Sequence, residues 1–269
     1  MLVLLPPSEG KRVPRRGRPL ELGSLSFPAL EQHRAAVLGA LVDLCTTAPP
    51  ASAARVLGLG PSQAAEVTAD AGLLQAPTAR ADAVYRGVLY EALDLPSLDA
   101  SARRRATSWL AVTSGLFGLL RPADRIPAYR LSGSVSLPGI GPLSTYWARR
   151  LDDSVRQAAG RGLVLDLRSS AYASFWRPGP DLARRVVSMR VLHEAAGVRS
   201  VVSHFNKATK GRLVRTLLQD GGAPGSAPRL ADHLRSLGWH VEDSTAGEQR
   251  RRLDVVVSEL AAPAPSNER

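Results

Sequence analysis

Apolar residues run without a break from Leu2 to Leu5 and stop at Pro6-Pro7. A short apolar run closed by prolines predicts a strand buried on both faces. The stretch Pro6-Pro7-Ser8-Glu9-Gly10-Lys11 is then a loop at the strand's carboxyl end, where α/β proteins place their chemistry. From Pro28 to Thr47, Leu30, Ala36, Val37, Leu41 and Leu44 recur at helical spacing and predict an amphipathic helix. The segment 48–76, framed by Pro49-Pro50 and Pro77, reads as two short helices around Gly58-Leu59-Gly60-Pro61. Helices are predicted over 81–93, 100–109 and 144–159, and strands over 110–113, 163–167, 186–192, 198–204 and 253–257. Asn206 reads as the N-cap of a further helix that carries Lys207 and Lys210 in its first turn. Strands alternating with helices indicate a wound α/β fold. The expected architecture is one domain, 1–260, built on a mixed central sheet with flanking helices. An Ala/Pro-rich tail, 261–269, is expected to fray.

Hydrophobic residues make up 44% of the 269, enough for a sizeable core and too many for a disordered chain. Cys45 is the single cysteine, so no internal disulfide can form and no Cys/His spacing suggests zinc. No apolar run is long enough to span a bilayer and no export signal is evident, so a cytoplasmic protein is expected. Lys and Arg outnumber Asp and Glu 35 to 24, a formal charge of +11 that attracts polyanions. Lysine occurs only at Lys11, Lys207 and Lys210. In so arginine-biased a chain, surviving lysines mark places where a compact, titratable ammonium is wanted in place of a planar guanidinium.

Four constellations carry candidate chemistry. The hGhG pattern at Gly58 and Gly60 matches a helix-hairpin-helix, in which small glycines let amides reach a phosphate; an ordinary helix C-cap gives the same letters. Lys207, Lys210 and Arg212 cluster at the predicted helix start, where a bound anion would offset their repulsion by the macrodipole. Ser114, Arg121, Tyr129 and Arg130 surround a glycine-rich turn, although Arg121 could equally pin a loop through Asp124. Ser169 and Tyr172 follow the strand at 163–167, where capping is the default role for a serine. His33, His193, His204, His233 and His240 are scattered without ligand spacing, so neither a metal nor another cofactor is expected.

The order of these motifs resembles the YaaA peroxide-stress family. The likeness lies in the strand-to-lysine opening Leu2–Lys11, in Tyr85-Arg-Gly-Val-Leu-Tyr90, and most specifically in Ser114-Gly-Leu-Phe-Gly-Leu-Leu-Arg-Pro122. It continues through Pro127–Leu131, Tyr146-Trp147, Leu167–Ser169 with Tyr172, and Lys207–Arg215, covering nearly the whole chain. The family's usual Ser-Pro-Ala-Lys opening is here Ser8-Glu9-Gly10-Lys11, and an acidic pair expected after Ser169 is Ser170-Ala171. The resemblance implies a helix-hairpin-helix element, a basic cleft, DNA binding and protection against iron and peroxide damage. It places Lys11, Ser114, Arg121, Tyr129, Arg130, Ser169, Tyr172, Lys207 and Lys210 on the family's polar positions. The leading expectation is a DNA-binding protein of the peroxide response that grips the phosphate backbone. The alternative is an enzyme acting on a nucleotide, nucleoside or damaged DNA base, with Lys11, Lys207 and Lys210 as candidate catalytic amines.

Overall fold

Leu2–Leu5 forms strand β1, and all four side chains are buried in the middle of the main sheet, as an uninterrupted apolar run requires. The computed structural model describes residues 1–195, 197–201, 203–245 and 251–258; the tail expected to fray lies outside them. After β1 the chain forms α1 (Glu31–Thr47), α2 (Pro50–Leu57) and α3 (Ala64–Ala71), then the two-residue strand β2 (Ala79–Arg80). Next come α4 (Ala81–Val84), α5 (Val88–Leu93), α6 (Ala100–Trp109), β3 (Leu110–Ser114) and β4 (Gly118–Leu120). The short strands β5 (Arg125–Ile126), β6 (Ser136–Leu137) and β7 (Gly141–Pro142) lead to α7 (Leu143–Ala148), α8 (Asp152–Ala159) and β8 (Val164–Asp166). The remainder comprises α9 (Ser170–Ala173), α10 (Pro180–Ala183), β9 (Val186–Ala195), β10 (Val198–Ser200), α11 (Ser203–Asp220), α12 (Ala227–Ser236), β11 (His240–Thr245) and β12 (Arg251–Ser258).

The sheet runs β11-β12-β9-β8-β1-β3-β4, with β10 folded back on β9. From β12 to β3 every neighbouring pair is parallel, and β11, β10 and β4 pair antiparallel. The sheet is therefore mixed, and helices pack around it over one contiguous apolar core. In register, Leu5 lies beside Val112 and Leu4 beside Asp166, so β1, β3 and β8 end at one edge. Thr113 Oγ1 donates to the Leu5 carbonyl at 2.8 Å and ties two of those ends together.

The motif Ser114–Pro122 is the β3–β4 hairpin. Gly118 sits at φ +69°, and a Cβ there would meet the buried Trp147 ring at 2.7 Å. Arg34 of α1 is completely buried and donates to the carbonyls of Phe117 (3.0 Å), Leu119 (2.7 Å) and Ser26 (2.7 Å). The buried guanidinium thus ties α1 to the β3–β4 hairpin.

Three expected elements differ. The helix over 81–93 is broken between α4 and α5, because Tyr85 leaves it to form a bridge with Lys11 and Gly87 turns at φ +103°. The helix over 144–159 divides into α7 and α8. The strand expected over 198–204 pairs only from Val198 to Ser200, where its ladder with β9 ends, and Val202 lies outside the described residues. Helix α11 is already under way at Ser203, so Asn206 is not its N-cap, and Lys207 and Lys210 lie beyond its first turn. At those positions the repulsion from the helix dipole has largely fallen away.

Candidate functional site at the carboxyl ends of the strands

The loop after β1 is pinned across the sheet edge. Arg12 N–H donates to the Val84 carbonyl (2.8 Å) and Arg86 N–H to Ser8 Oγ (2.9 Å), which clamps the loop on the break between α4 and α5. Lys11 is turned inward as a result. Its Nζ donates to the Ser8 carbonyl at 2.9 Å and lies 4.2 Å from the centroid of the Tyr129 ring and 5.7 Å from that of Tyr85. Burial lowers the amine from its usual range to about 8, against the opposing pull of Glu9. Such an amine is about a tenth neutral at pH 7, far more than a solvated lysine.

The aromatic wall is held by a chain of hydroxyls. Tyr129 Oη is 2.7 Å from Ser114 Oγ and 3.0 Å from Tyr85 Oη, and Ser114 Oγ accepts from the Phe117 amide at 3.0 Å. Ser114 is fully buried at the end of β3, which fixes the height of Tyr129 relative to Lys11. Burial raises the phenols of Tyr85 and Tyr129, so both remain neutral hydrogen-bonding groups.

A charged cluster closes one side. Arg130 Nη1 donates to the Glu9 carbonyl at 3.0 Å and lies 3.5 Å from Glu9 Oε2. The Arg130 backbone N–H donates to Asp70 Oδ1 at 2.9 Å. Asp70 is completely buried on α3, its Oδ2 has no hydrogen-bond partner among the described residues, and burial raises its carboxyl to about 7. On the β8 side, Lys210 Nζ donates to the Leu167 carbonyl at 3.3 Å, and burial lowers this amine too. Tyr172 Oη accepts from the Gly133 amide at 3.0 Å, while Ser169 is exposed at the N-cap of α9 without a capping hydrogen bond from its side chain.

Lys11, Ser114, Tyr129 and Arg130 are therefore in one linked group, with Tyr172 and Lys210 on the neighbouring strand end. Arg121 is elsewhere. Its guanidinium donates to the carbonyls of Ser108 (2.7 Å) and Leu110 (2.8 Å), at the amino end of β3, and only its backbone N–H reaches Asp124. Lys207 and Arg212 are exposed on α11. At the hairpin, Gly58 is the C-cap of α2 at φ +67°, with its N–H on the Arg55 carbonyl, and Leu59 N–H donates to the Ala54 carbonyl. Gly60 N–H donates to Gln63 Oε1 at 3.2 Å. The three hairpin amides are satisfied internally, so none is free to grip a phosphate. Among the described residues, no group of three or more His, Cys, Asp or Glu could hold a metal, and no helix is long and apolar enough to cross a membrane.

Asp70, Glu9 and Tyr85 join the site although pattern reading did not select them. Asp70 left one signal: it follows Val67 by three residues on the inward face of α3, where an apolar residue is the rule.

Residues 1–244 match the family described as peroxide stress protein YaaA. A UPF0246 protein of Streptomyces coelicolor is 52% identical over 262 residues, covering 97% of this chain and all (100%) of the relative. UPF0246 proteins of Corynebacterium efficiens and Corynebacterium glutamicum are 39% and 36% identical over 95% and 96% of this chain and 100% of each relative. The chain therefore belongs to the peroxide stress protein YaaA family.

Proposed function

We propose that this chain is an enzyme of the peroxide response that acts on a nucleotide, a nucleoside or a damaged nucleobase, with the Lys11 amine as its reactive group. One observation supports this above the others: the amine is desolvated and held 4.2 Å over the Tyr129 ring, at the carboxyl ends of parallel strands. Radical attack on sugars and bases leaves carbonyl carbons, the electrophile that a neutral amine attacks. The amine lone pair forms the C–N bond as the C=O π bond breaks, the two amine protons pass to that oxygen, and the C–O bond breaks with loss of water to give a Schiff base. The Tyr85–Tyr129–Ser114 chain keeps the wall behind the amine rigid.

Borohydride reduction tests the reading with 2-deoxyribose 5-phosphate and with an oligonucleotide carrying an abasic site. The expected result is a stable adduct on Lys11, lost in Lys11→Met. An adduct confined to other residues, or none with either substrate, overturns it.

A second reading, binding along a DNA backbone, is favoured by the charge of +11 and by a groove of about 510 Å³ rimmed by Arg80, Arg103 and Arg104. Arg80 is paired with Asp82, whereas Arg103 and Arg104 are exposed and have no side-chain partner among the described residues. In this reading the arginine groove takes over the phosphate contacts expected of the hairpin.

A further inference from the structure

Beside the lysine site is a second cavity, of about 350 Å³, walled by Glu9, Gly58, Arg130, Ser132, Ser134 and Ser136. Its size is that of a small-ligand pocket. Ser132 and Ser134 belong to a turn closed by the Val135 N–H on the Ser132 carbonyl at 3.2 Å, Ser136 opens β6, and all three line the cavity. Ser132 Oγ and Ser134 Oγ are 3.2 Å apart. Arg130 uses only Nη1 within the protein, on Glu9; among the described residues its Nε and Nη2 have no partner, and the side chain keeps 19% exposure. Two donors of a guanidinium fork thus remain for an anion.

The cavity is joined to the lysine site through one atom. The Glu9 carbonyl oxygen accepts from Arg130 Nη1 at 3.0 Å and from Lys11 Nζ at 3.5 Å, so guanidinium and amine flank the same carbonyl within the length of a small ligand. Polarity orients the occupant. Helix α2 ends at Gly58 on the cavity wall, and the negative end of its dipole disfavours a phosphate there while favouring hydroxyl hydrogens. The Glu9 carboxylate, half exposed, is an acceptor for further hydroxyls.

We infer that this cavity binds the phosphorylated sugar unit of the substrate, phosphate on Arg130 and hydroxyls on Glu9 and the three serines, with the sugar's carbonyl carbon presented to Lys11. The inference rests on the Lys11 reading and gives it a substrate class. It also assigns the hairpin a different task from gripping a nucleic-acid backbone: Gly58 forms a wall of the pocket.

Calorimetric titration of the full chain with ribose 5-phosphate, ribose and inorganic phosphate tests it. Ribose 5-phosphate is expected to bind at least tenfold more tightly than either fragment. Ser134→Leu, a change at an exposed position that fills the cavity, is expected to weaken that binding at least tenfold with an unchanged thermal midpoint. Arg130→Met is expected to weaken ribose 5-phosphate and phosphate alike. Equal affinity of Ser134→Leu and wild type, or no preference for ribose 5-phosphate over its fragments, overturns the inference. Borohydride trapping of glycolaldehyde on the wild-type chain reads Lys11 without the pocket. An adduct without sugar-phosphate binding removes the pocket alone, and sugar-phosphate binding without an adduct removes the Lys11 chemistry alone.

Discussion

Asp70 shows most clearly what the site costs the fold. It is fully buried, one oxygen receives the Arg130 amide, and the other has no hydrogen-bond partner among the described residues. Its folded value of about 7 lies above the ordinary 3.8, so the folded chain holds a proton that the unfolded chain releases between those values. Stability from this group is intact below about pH 4 and declines as pH rises towards 7. Asp70→Asn keeps an oxygen for the Arg130 amide and removes the titration. Wild type is expected to lose on the order of 3 kcal/mol more than Asp70→Asn between pH 4 and pH 8. Parallel denaturant curves for the two proteins would contradict a buried, ionisable Asp70. Lys11 has the opposite sign. Its folded value of about 8 lies below that of a free lysine, so the penalty for a buried charge is present below pH 8 and relieved above it. Lys11→Met is expected to raise the thermal midpoint at pH 7 and to lose that advantage towards pH 10. A variant less stable than wild type at pH 7 would mean that the amine is well solvated.

At the scale of elements, the hairpins are held by backbone geometry more than by chemistry. Gly58→Ala keeps its surroundings free of clashes but forces an alanine into the left-handed region, an expected loss of about 1 kcal/mol. Gly118→Ala adds a collision with Trp147 to the same strain and is expected to lose roughly 3 kcal/mol. Denaturant midpoints in the reverse order would contradict this ranking. The same elements show what pattern reading reaches. The apolar runs 2–5, 110–113, 163–167, 186–192 and 253–257 are all strands of the parallel centre, because burial on both faces leaves an unmistakable composition. The breaks at Tyr85–Gly87 and between α7 and α8 were not legible. Tyr85 leaves its helix to meet Lys11, a partner far away in the chain, and no local signal encodes that bridge. For the same reason Lys11 stood out by its rarity and its place after a strand, whereas Arg121, equally prominent in its motif, is occupied by carbonyls at the opposite end of β3. The Arg130–Asp70 contact, which joins α3 to the site, likewise spans the sequence and was invisible in it.

For the whole molecule, the fold divides two electrostatic tasks. The surface presents exposed arginines such as Arg103 and Arg104, while the strand ends hold amines stripped of water. If the surface binds a nucleic-acid backbone through five phosphates, log affinity falls against log salt with a slope of about −4.5. Changing Arg103 and Arg104 together to alanine is then expected to bring the slope to roughly −2.7. A flat salt response in wild type would leave the arginines as a solubilising surface only. The proposed chemistry depends on a desolvated amine at Lys11. Competitive acetylation of the native chain across pH, read peptide by peptide by mass spectrometry, measures that amine directly. The Lys11 titration midpoint is expected near pH 8. A midpoint near 10.5, the value of a solvated lysine, would contradict it.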